Sequence, residues 1–164
     1  MKTILILRHA KSSWKHPELS DFQRPLNKRG KRDAPRMGRL LREEGIVPDL
    51  ILSSTAERAL KTADLAADAC GIEEAVIAVD AFYHAGPGTY YRVISQTSDV
   101  YSKVMVVGHN PGAEDFFEEL VGFWERLPTA ALAQVELPIN HWKELVRDVQ
   151  GTLQNLWLPR NLRP

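Results

Sequence analysis

The chain has 164 residues, of which 44% are hydrophobic and 26% are charged, and this composition predicts a single globular domain over residues 1–164 with a substantial core. Lys and Arg together number 21, as do Asp and Glu, so no overall charge favours nucleic acid or an anionic membrane as a partner. A single cysteine, Cys70, excludes an internal disulfide, and the apolar run near the N-terminus is too short for a secretion signal or a membrane span, so we expect a cytoplasmic protein.

Short apolar runs alternate with helical patterns along the chain. In chain order we predict a strand at Thr3–Leu7, a polar loop over residues 11–27, a helix at Arg32–Glu44, a strand at Asp49–Ser53 and a helix at Ala56–Ala69. Next come a strand at Ala75–Val79, an irregular stretch over residues 81–88, and a helix that is capped by Thr89 and reaches Ser95. The rest of the chain is predicted to form a strand at Lys103–Val107, a helix at Ala113–Val121, and strands at Ala133–Leu137 and Thr152–Leu158. Pro35 either marks the first turn of its helix or kinks it.

The alternation of strands and helices is typical of an α/β protein. It predicts a three-layer α/β/α sandwich around a mostly parallel sheet of about six strands. The last two strands have no long helix between them, so we expect part of the sheet to be antiparallel and the sheet to be mixed. Parallel strands place their carboxyl ends at one edge of the sheet, which is where α/β proteins bind ligands.

Basic side chains follow three of the predicted strands at that edge. Arg8 and His9 follow the first strand, and His109 follows the strand before the fourth helix. The second strand leads through two serines into a helix whose first turn contains Arg58. Two arginines and two histidines at one sheet edge indicate a pocket that binds and attacks a phosphoryl group.

The residue types fit phosphoryl transfer. A neutral histidine can attack phosphorus through a ring nitrogen, and its reference pKa of about 6.5 makes the neutral form available near pH 7. Arginine is permanently charged and grips phosphate oxygens with parallel hydrogen bonds, which offsets repulsion between nucleophile and dianion. The helix that opens after Pro111 adds backbone N–H donors and a positive dipole end.

Two other kinds of site are less favoured. No carboxylate or second histidine stands at ligand spacing beside His9 or His109, and Arg8 would repel a cation, so we expect no metal. Neither a G-x-G-x-x-G motif nor a P-loop lysine follows a predicted strand, which argues against a nucleotide-binding protein. No organic cofactor is implied.

The order and spacing of several motifs resemble the histidine phosphatase superfamily, and most closely the small SixA-type phosphohistidine phosphatases. The matching segments are Leu7-Arg8-His9-Ala10-Lys11-Ser12-Ser13-Trp14, Asp21-x-x-Arg24-Pro25-Leu26-x-x-x-Gly30, Leu52-Ser53-Ser54-x-x-x-Arg58-Ala59-x-x-Thr62-Ala63, Val106-Val107-Gly108-His109-Asn110-Pro111-Gly112 and Pro128-Thr129-Ala130-Ala131-Leu132-Ala133. The resemblance implies a phosphoglycerate-mutase-like fold without a large cap insertion.

The resemblance also implies a covalent mechanism. His9 would be the nucleophile that becomes phosphorylated, and water would hydrolyse the phosphohistidine intermediate. Arg8, Arg58 and His109 would complete the phosphate pocket, and Asn110 would line it. Two roles remain open for Arg24, which either adds a third guanidinium or is a surface residue that anchors its loop.

One departure from the family pattern bears on the substrate. Larger members that cleave phosphate esters carry a glutamate after the third strand, where this chain has Asp80-Ala81-Phe82-Tyr83-His84-Ala85. A missing general acid costs an alkoxide leaving group about 10²–10⁴ in rate, but costs an imidazole little. His84 is a candidate proton donor, with Tyr83 and solvent as alternatives, and Glu57 is a weaker candidate because the helix dipole already explains it.

Three functions follow, in decreasing order of support. The first is a phosphatase acting on phosphohistidine in a protein, the second a phosphatase for a small phosphorylated metabolite, and the third a phosphate-binding module without turnover. For a protein substrate, the candidate docking surface comprises Trp14, His16 and the basic stretch over residues 24–32, in which Arg29 and Arg32 are the residues to test. The oligomeric state is not predictable.

Overall fold

The computed structural model describes residues 1–72 and 76–162, and in that part of the chain six strands form one sheet with four α-helices around it. The strands are β1 (Lys2–Arg8), β2 (Leu50–Ser54), β3 (Val76–Val79), β4 (Lys103–Gly108), β5 (Leu132–Leu137) and β6 (Thr152–Trp157). The helices are α1 (Lys28–Glu43), α2 (Glu57–Cys70), α3 (Pro87–Ser95) and α4 (Gly112–Val121). Within these residues, no helix is long and apolar enough to cross a membrane.

The sheet is mixed, as predicted. Its strand order is β3-β2-β4-β1-β5-β6. The pairs β2–β3, β2–β4 and β1–β4 are parallel, whereas β5 runs antiparallel to both β1 and β6. The register places Arg8 opposite Gly108 and Ser53 opposite Val107, so β1, β2 and β4 deliver their last residues to one edge.

Helices cover both faces of the sheet, which confirms the three-layer arrangement. Successive side chains of a strand point to opposite faces, and β1 follows this rule. Ile4 and Ile6 pack with the apolar side chains of α3 and α4, whereas Leu5 and Leu7 pack with those of α1 and α2. Cys70 lies in the second cluster as a buried residue, and burial raises the pKa of its thiol, so it is structural as expected.

Two helix starts were predicted wrongly. Helix α1 begins at Lys28 rather than at Arg32, because the Asn27 side chain accepts a hydrogen bond from the Gly30 backbone N–H at 2.9 Å and caps the helix there. Helix α3 begins at Pro87 rather than after a Thr89 cap, since proline is already shaped for a first helical position.

Two smaller points concern Pro35 and Ala75. Pro35 lies inside α1, well past its first turn, so the Lys31 carbonyl lacks a helical donor. The third strand was predicted from Ala75 to Val79; Ala75 lies outside the described residues, and the rest of the prediction matches β3.

Candidate active site

A cleft of about 250 Å³ opens where β1, β2 and β4 end. Four of its side chains are cationic, which makes it a site for an anion. The cleft, called the phosphate cleft below, is lined by Arg8, His9, Lys11, Ser12, Trp14, Arg24, Arg58, His109, Asn110 and Thr129. The structure therefore brings six of the seven predicted site residues together, and only His84 lies outside the cleft lining.

His9 is buried, and one of its ring nitrogens is already engaged. Its Nδ1 lies 2.8 Å from the Ala10 carbonyl oxygen, which can only accept, so Nδ1 carries the hydrogen and Nε2 carries the lone pair. The Nε2 atom has no hydrogen-bond partner among the described residues. Burial lowers the pKa of His9 to about 3, and the nearby charges of Arg8 and Arg58 act in the same direction. His9 is therefore neutral near pH 7, with a free lone pair on Nε2.

The backbone after His9 is fixed by α2. The Ala10 N–H donates to the Thr62 hydroxyl at 3.0 Å, and that hydroxyl donates to the Arg58 carbonyl at 2.7 Å. Thr62 is fully buried. The carbonyl that orients His9 thus has a defined position relative to the helix that carries Arg58.

His109 lies beside His9, with 5.0 Å between the two ring centroids. Its Nε2 is 2.8 Å from the Ser54 hydroxyl, and its Nδ1 is buried without a hydrogen-bond partner in the described part of the chain. Burial, reinforced by the charge of Arg58, lowers the pKa of His109 to about 4. Both histidines are consequently neutral at physiological pH, and the cationic character of the cleft comes from arginine and lysine.

A single backbone carbonyl orients Arg8 and Asn110. The Leu127 carbonyl accepts from Arg8 Nη1 at 3.0 Å and from Asn110 Nδ2 at 2.9 Å. The Leu127 N–H donates to the Glu114 carboxylate at 2.8 Å, which ties this loop to α4. Burial lowers the pKa of Arg8, and Arg8 Nε and Asn110 Oδ1 have no hydrogen-bond partner among the described residues. Both atoms belong to residues that face the cleft.

Asp21 links Arg24 and Arg58, the other two arginines of the cleft. Its side-chain oxygens accept from Arg24 Nη1 at 2.9 Å, from Arg58 Nη2 at 3.0 Å and from the Tyr83 hydroxyl at 2.7 Å, and its carbonyl accepts from Arg58 Nη1 at 2.6 Å. The Tyr83 hydrogen bond and the two guanidinium groups hold the pKa of Asp21 well below its usual range. Arg58 is only 7% exposed, so this pairing fixes its orientation in the cleft.

Arg24 lines the cleft and also anchors its loop, and it is buried rather than a surface residue. It is 8% exposed and lines the cleft. It also anchors the 11–27 loop, because Nε donates to the Ser13 carbonyl at 3.2 Å and Nη2 donates to the Ser12 hydroxyl. The Trp14 ring lies over the guanidinium at 3.3 Å, although Trp14 itself is 74% exposed at the rim of the cleft.

The candidate proton donors occupy different positions. His84 is exposed, has a φ of 59°, and packs against Tyr83 with 3.9 Å between the centroids of the tilted rings. Tyr83 also packs edge-on against His109 at 5.7 Å, and burial, followed by its hydrogen bond to Asp21, raises the pKa of Tyr83. Glu57 is exposed in the first turn of α2 and does not line the cleft.

The sequence analysis gave no role to Asp21 or Leu127. Asp21 stands in one of the motifs that carry the family resemblance, and that position was the available signal. Leu127 acts through its backbone carbonyl, which no side-chain pattern reveals. Among residues 1–72 and 76–162, no three His, Cys, Asp or Glu side chains are grouped so that they could bind a metal ion.

Comparison with known proteins identifies the family to which this arrangement is related. A family model described as the histidine phosphatase superfamily (branch 1) matches residues 4–83. An uncharacterized chloroplastic protein of Arabidopsis thaliana is 36% identical over 153 residues, which cover 87% of this chain and 70% of the relative. An uncharacterized protein of Mycobacterium tuberculosis is 32% identical over 153 residues, which cover 85% of this chain and 91% of the relative.

A solved structure extends the comparison over nearly the whole fold. The protein assigned as phosphohistidine phosphatase SixA from Agrobacterium tumefaciens is 31% identical and superimposes with a TM-score of 0.80. The match covers 96% of this chain and 98% of that one. This similarity confirms the expected phosphoglycerate-mutase-like fold.

Proposed function

The chain belongs to the histidine phosphatase superfamily, and from this premise we propose that it removes phosphate from phosphohistidine in a protein through a phosphorylated His9 intermediate. One observation carries the proposal: the neutral His9 ring, with Nε2 unpaired, stands in a cleft lined by Arg8, Arg24 and Arg58. The similar structure assigned as SixA supports the choice of substrate.

The reaction proceeds in two displacements. His9 Nε2 attacks phosphorus, the new N–P bond forms, and the N–P bond of the substrate breaks with its electron pair staying on the departing imidazole nitrogen. Water then attacks the phosphorus of phosphorylated His9, loses a proton to solvent, and forms a new O–P bond as the N–P bond breaks. Inorganic phosphate leaves, and the electron pair of the broken bond returns to Nε2.

The surrounding residues supply charge and orientation. Arg8 and Arg58 bind phosphoryl oxygens, Arg24 adds a third guanidinium, and His109 donates a ring N–H. Each charge-assisted hydrogen bond contributes roughly 1.5–3 kcal/mol, so several that tighten in the transition state accelerate the reaction by powers of ten. Asn110 completes the lining of the cleft.

The leaving group distinguishes the proposed substrate from a small phosphate ester. Residues 80–85 contain no glutamate in place of the family's general acid, and the exposed His84 is the candidate donor there. An ester needs its alkoxide protonated, whereas a protonated phosphoimidazole leaves as neutral imidazole. A phosphatase for a small phosphorylated metabolite is therefore the alternative function, and a binding module without turnover is the third.

The decisive experiment traps the intermediate. Radiolabelled phosphoramidate is mixed with the enzyme, the reaction is quenched within milliseconds to seconds, and acid-labile, base-stable label is mapped to peptides. We expect label on the His9 peptide, no label in His9→Ala, and unchanged labelling in His16→Ala, since His16 is exposed and does not line the cleft.

Three outcomes would contradict the proposal. Absence of label together with unchanged turnover in His9→Ala would show that His9 is not the nucleophile. Faster hydrolysis of sugar phosphates than of a phosphohistidine peptide would favour the small-metabolite alternative. Phosphate binding without any turnover by the intact protein would favour the binding module.

A further inference from the structure

A second cavity lies next to the phosphate cleft and has no role in the mechanism above. It measures about 290 Å³, and His109 and Asn110 line both this cavity and the phosphate cleft. Its other walls include His84 and Asp115. We call it the side cavity.

The two spaces carry opposite charge. The phosphate cleft is lined by three arginines and Lys11. No lysine or arginine lines the side cavity, and its one carboxylate is that of Asp115. His109 is neutral there, because burial lowers its pKa to about 4. The phosphate cleft and the side cavity together complement a ligand that is anionic at one end and is cationic, or donates an N–H, at the other.

The walls of the side cavity are fixed by close packing. Gly112, the first residue of α4, approaches the Ala85 carbonyl so closely that an added Cβ would lie 1.9 Å from the oxygen. On the other side, His84 stacks against Tyr83, which packs against His109. Asp115 belongs to the first turn of α4, the turn in which Gly112 packs against the Ala85 carbonyl.

We propose that the side cavity binds the leaving imidazole of the substrate, and that Asp115 determines specificity for a leaving group with an N–H. This inference rests on the proposed function and adds the reason for its substrate class. In protonated phosphohistidine, one ring nitrogen carries phosphorus and the other carries a proton. Asp115 accepts a hydrogen bond from that second N–H, so when the N–P bond breaks the imidazole leaves neutral and needs no further acid.

The same carboxylate disfavours other phosphorylated compounds. A substrate with a carboxylate or a second phosphate next to its phosphoryl group places negative charge beside Asp115, and an alkoxide does so as it leaves. Asp115 thus discriminates by repulsion as well as by attraction, which is how specific sites commonly work. It also explains how the chain manages without a carboxylic acid in residues 81–85.

The test compares Asp115→Asn with the wild type on two substrates, a phosphohistidine peptide and p-nitrophenyl phosphate, whose leaving group lacks an N–H. The measured quantity is the ratio of the two kcat/KM values. We expect Asp115→Asn to lower this ratio about tenfold, the size of one lost charge-assisted hydrogen bond at an exposed carboxylate, and Asp115→Lys to lower it further. Glu118→Gln, an exposed change on the same helix, is the matched control and should leave the ratio unchanged.

The outcomes separate this inference from the proposed function. If the wild type does not hydrolyse the phosphohistidine peptide, the proposed function fails. If it does, and Asp115→Asn leaves the ratio unchanged, the specificity role of Asp115 is wrong while the proposed function stands. An equal fall in Asp115→Asn and Glu118→Gln would also overturn that role, because it would reflect the loss of negative charge from α4 in general.

Discussion

Asp21 is the side chain that keeps two arginines aimed at the phosphate cleft. Its carboxylate accepts one hydrogen bond each from Arg58, Arg24 and the Tyr83 hydroxyl, and its backbone carbonyl accepts a second from Arg58. Long cationic side chains lose considerable rotamer freedom when they are ordered, and a fixed carboxylate supplies that order before substrate arrives. Asp21 does not itself line the cleft, so it acts as a positioning residue through Arg58 and Arg24.

We expect Asp21→Asn to lower kcat/KM by about 10- to 100-fold, because one or two charge-assisted hydrogen bonds that orient Arg58 and Arg24 are weakened. Inhibition by vanadate, which tests the anion site independently of the leaving group, should weaken in parallel. Glu18→Gln, an exposed change in the same loop, is the control. Loss of activity with undiminished vanadate inhibition would assign Asp21 a different role.

The two buried histidines predict how stability depends on pH. In the folded protein their pKa values are about 3 for His9 and about 4 for His109, lowered mainly by burial. In the unfolded chain both pKa values are about 6.5. Between pH 6.5 and 4 the unfolded chain therefore binds more protons, and the free energy of unfolding falls as the pH falls. From pH 7 to pH 5 this loss is about 2 kcal/mol for each histidine.

Urea unfolding of the wild type and of His9→Asn at pH 7 and pH 5 checks this linkage. The decrease in the free energy of unfolding between the two pH values should be smaller in His9→Asn by about 2 kcal/mol. Equal decreases in the two proteins would mean that the His9 pKa is not lowered in the folded state.

At the scale of secondary-structure elements, the sequence predicted strands better than helix starts. Each described strand end lies within one residue of its prediction, because a buried strand is a compact apolar run bounded by polar residues. Helix α1 starts with Lys28, Arg29, Gly30 and Lys31, which show no apolar periodicity. Its start depends on the Asn27 cap and on the contact of Gly30 with Lys11, which only the folded chain brings together.

The same contrast explains which site residues were found. Arg8 ends β1, and His9 and His109 directly follow β1 and β4, so the sheet alone places them at one edge. Asp21 lies in the long 11–27 loop, and its position is set by partners distant in sequence, Arg58 and Tyr83. A loop's path depends on such tertiary contacts, and no local pattern encodes them.

At the scale of the whole molecule, a chain with no net charge has a basic face. A groove of about 420 Å³ runs between α1 and the C-terminal turn, and its charged side chains are Arg32, Arg36, Arg39 and Arg160. Strand β6, which precedes the C-terminal turn, ends at the same sheet edge as β1, because Trp157 pairs with Leu132 and Leu132 pairs with Leu7. This face extends the docking surface that was predicted for a protein substrate.

The proposed protein substrate predicts that this basic face contributes to substrate capture. Arg29 and Arg32 both contact the buried Asp33, at 3.5 and 3.6 Å, so reversing the charge of these two side chains would disturb the fold. Arg39 and Arg160 are exposed, and their side chains make no ion pair with the described residues. The double variant Arg39→Glu and Arg160→Glu should therefore lower kcat/KM about tenfold on a phosphohistidine protein with an acidic surface, because electrostatic attraction mainly raises the rate of encounter.

The same double variant should leave hydrolysis of p-nitrophenyl phosphate unchanged. On the protein substrate, the difference in kcat/KM between the wild type and the double variant should shrink as salt is raised, because screening shortens the range of the attraction. Arg92→Glu with Lys143→Glu changes the net charge equally on the opposite helical layer and is the matched control. An equal loss in both double variants would indicate a general charge effect. No loss in either would mean that the substrate reaches the phosphate cleft without contacting the basic face, and that docking depends on the rim around Trp14 instead.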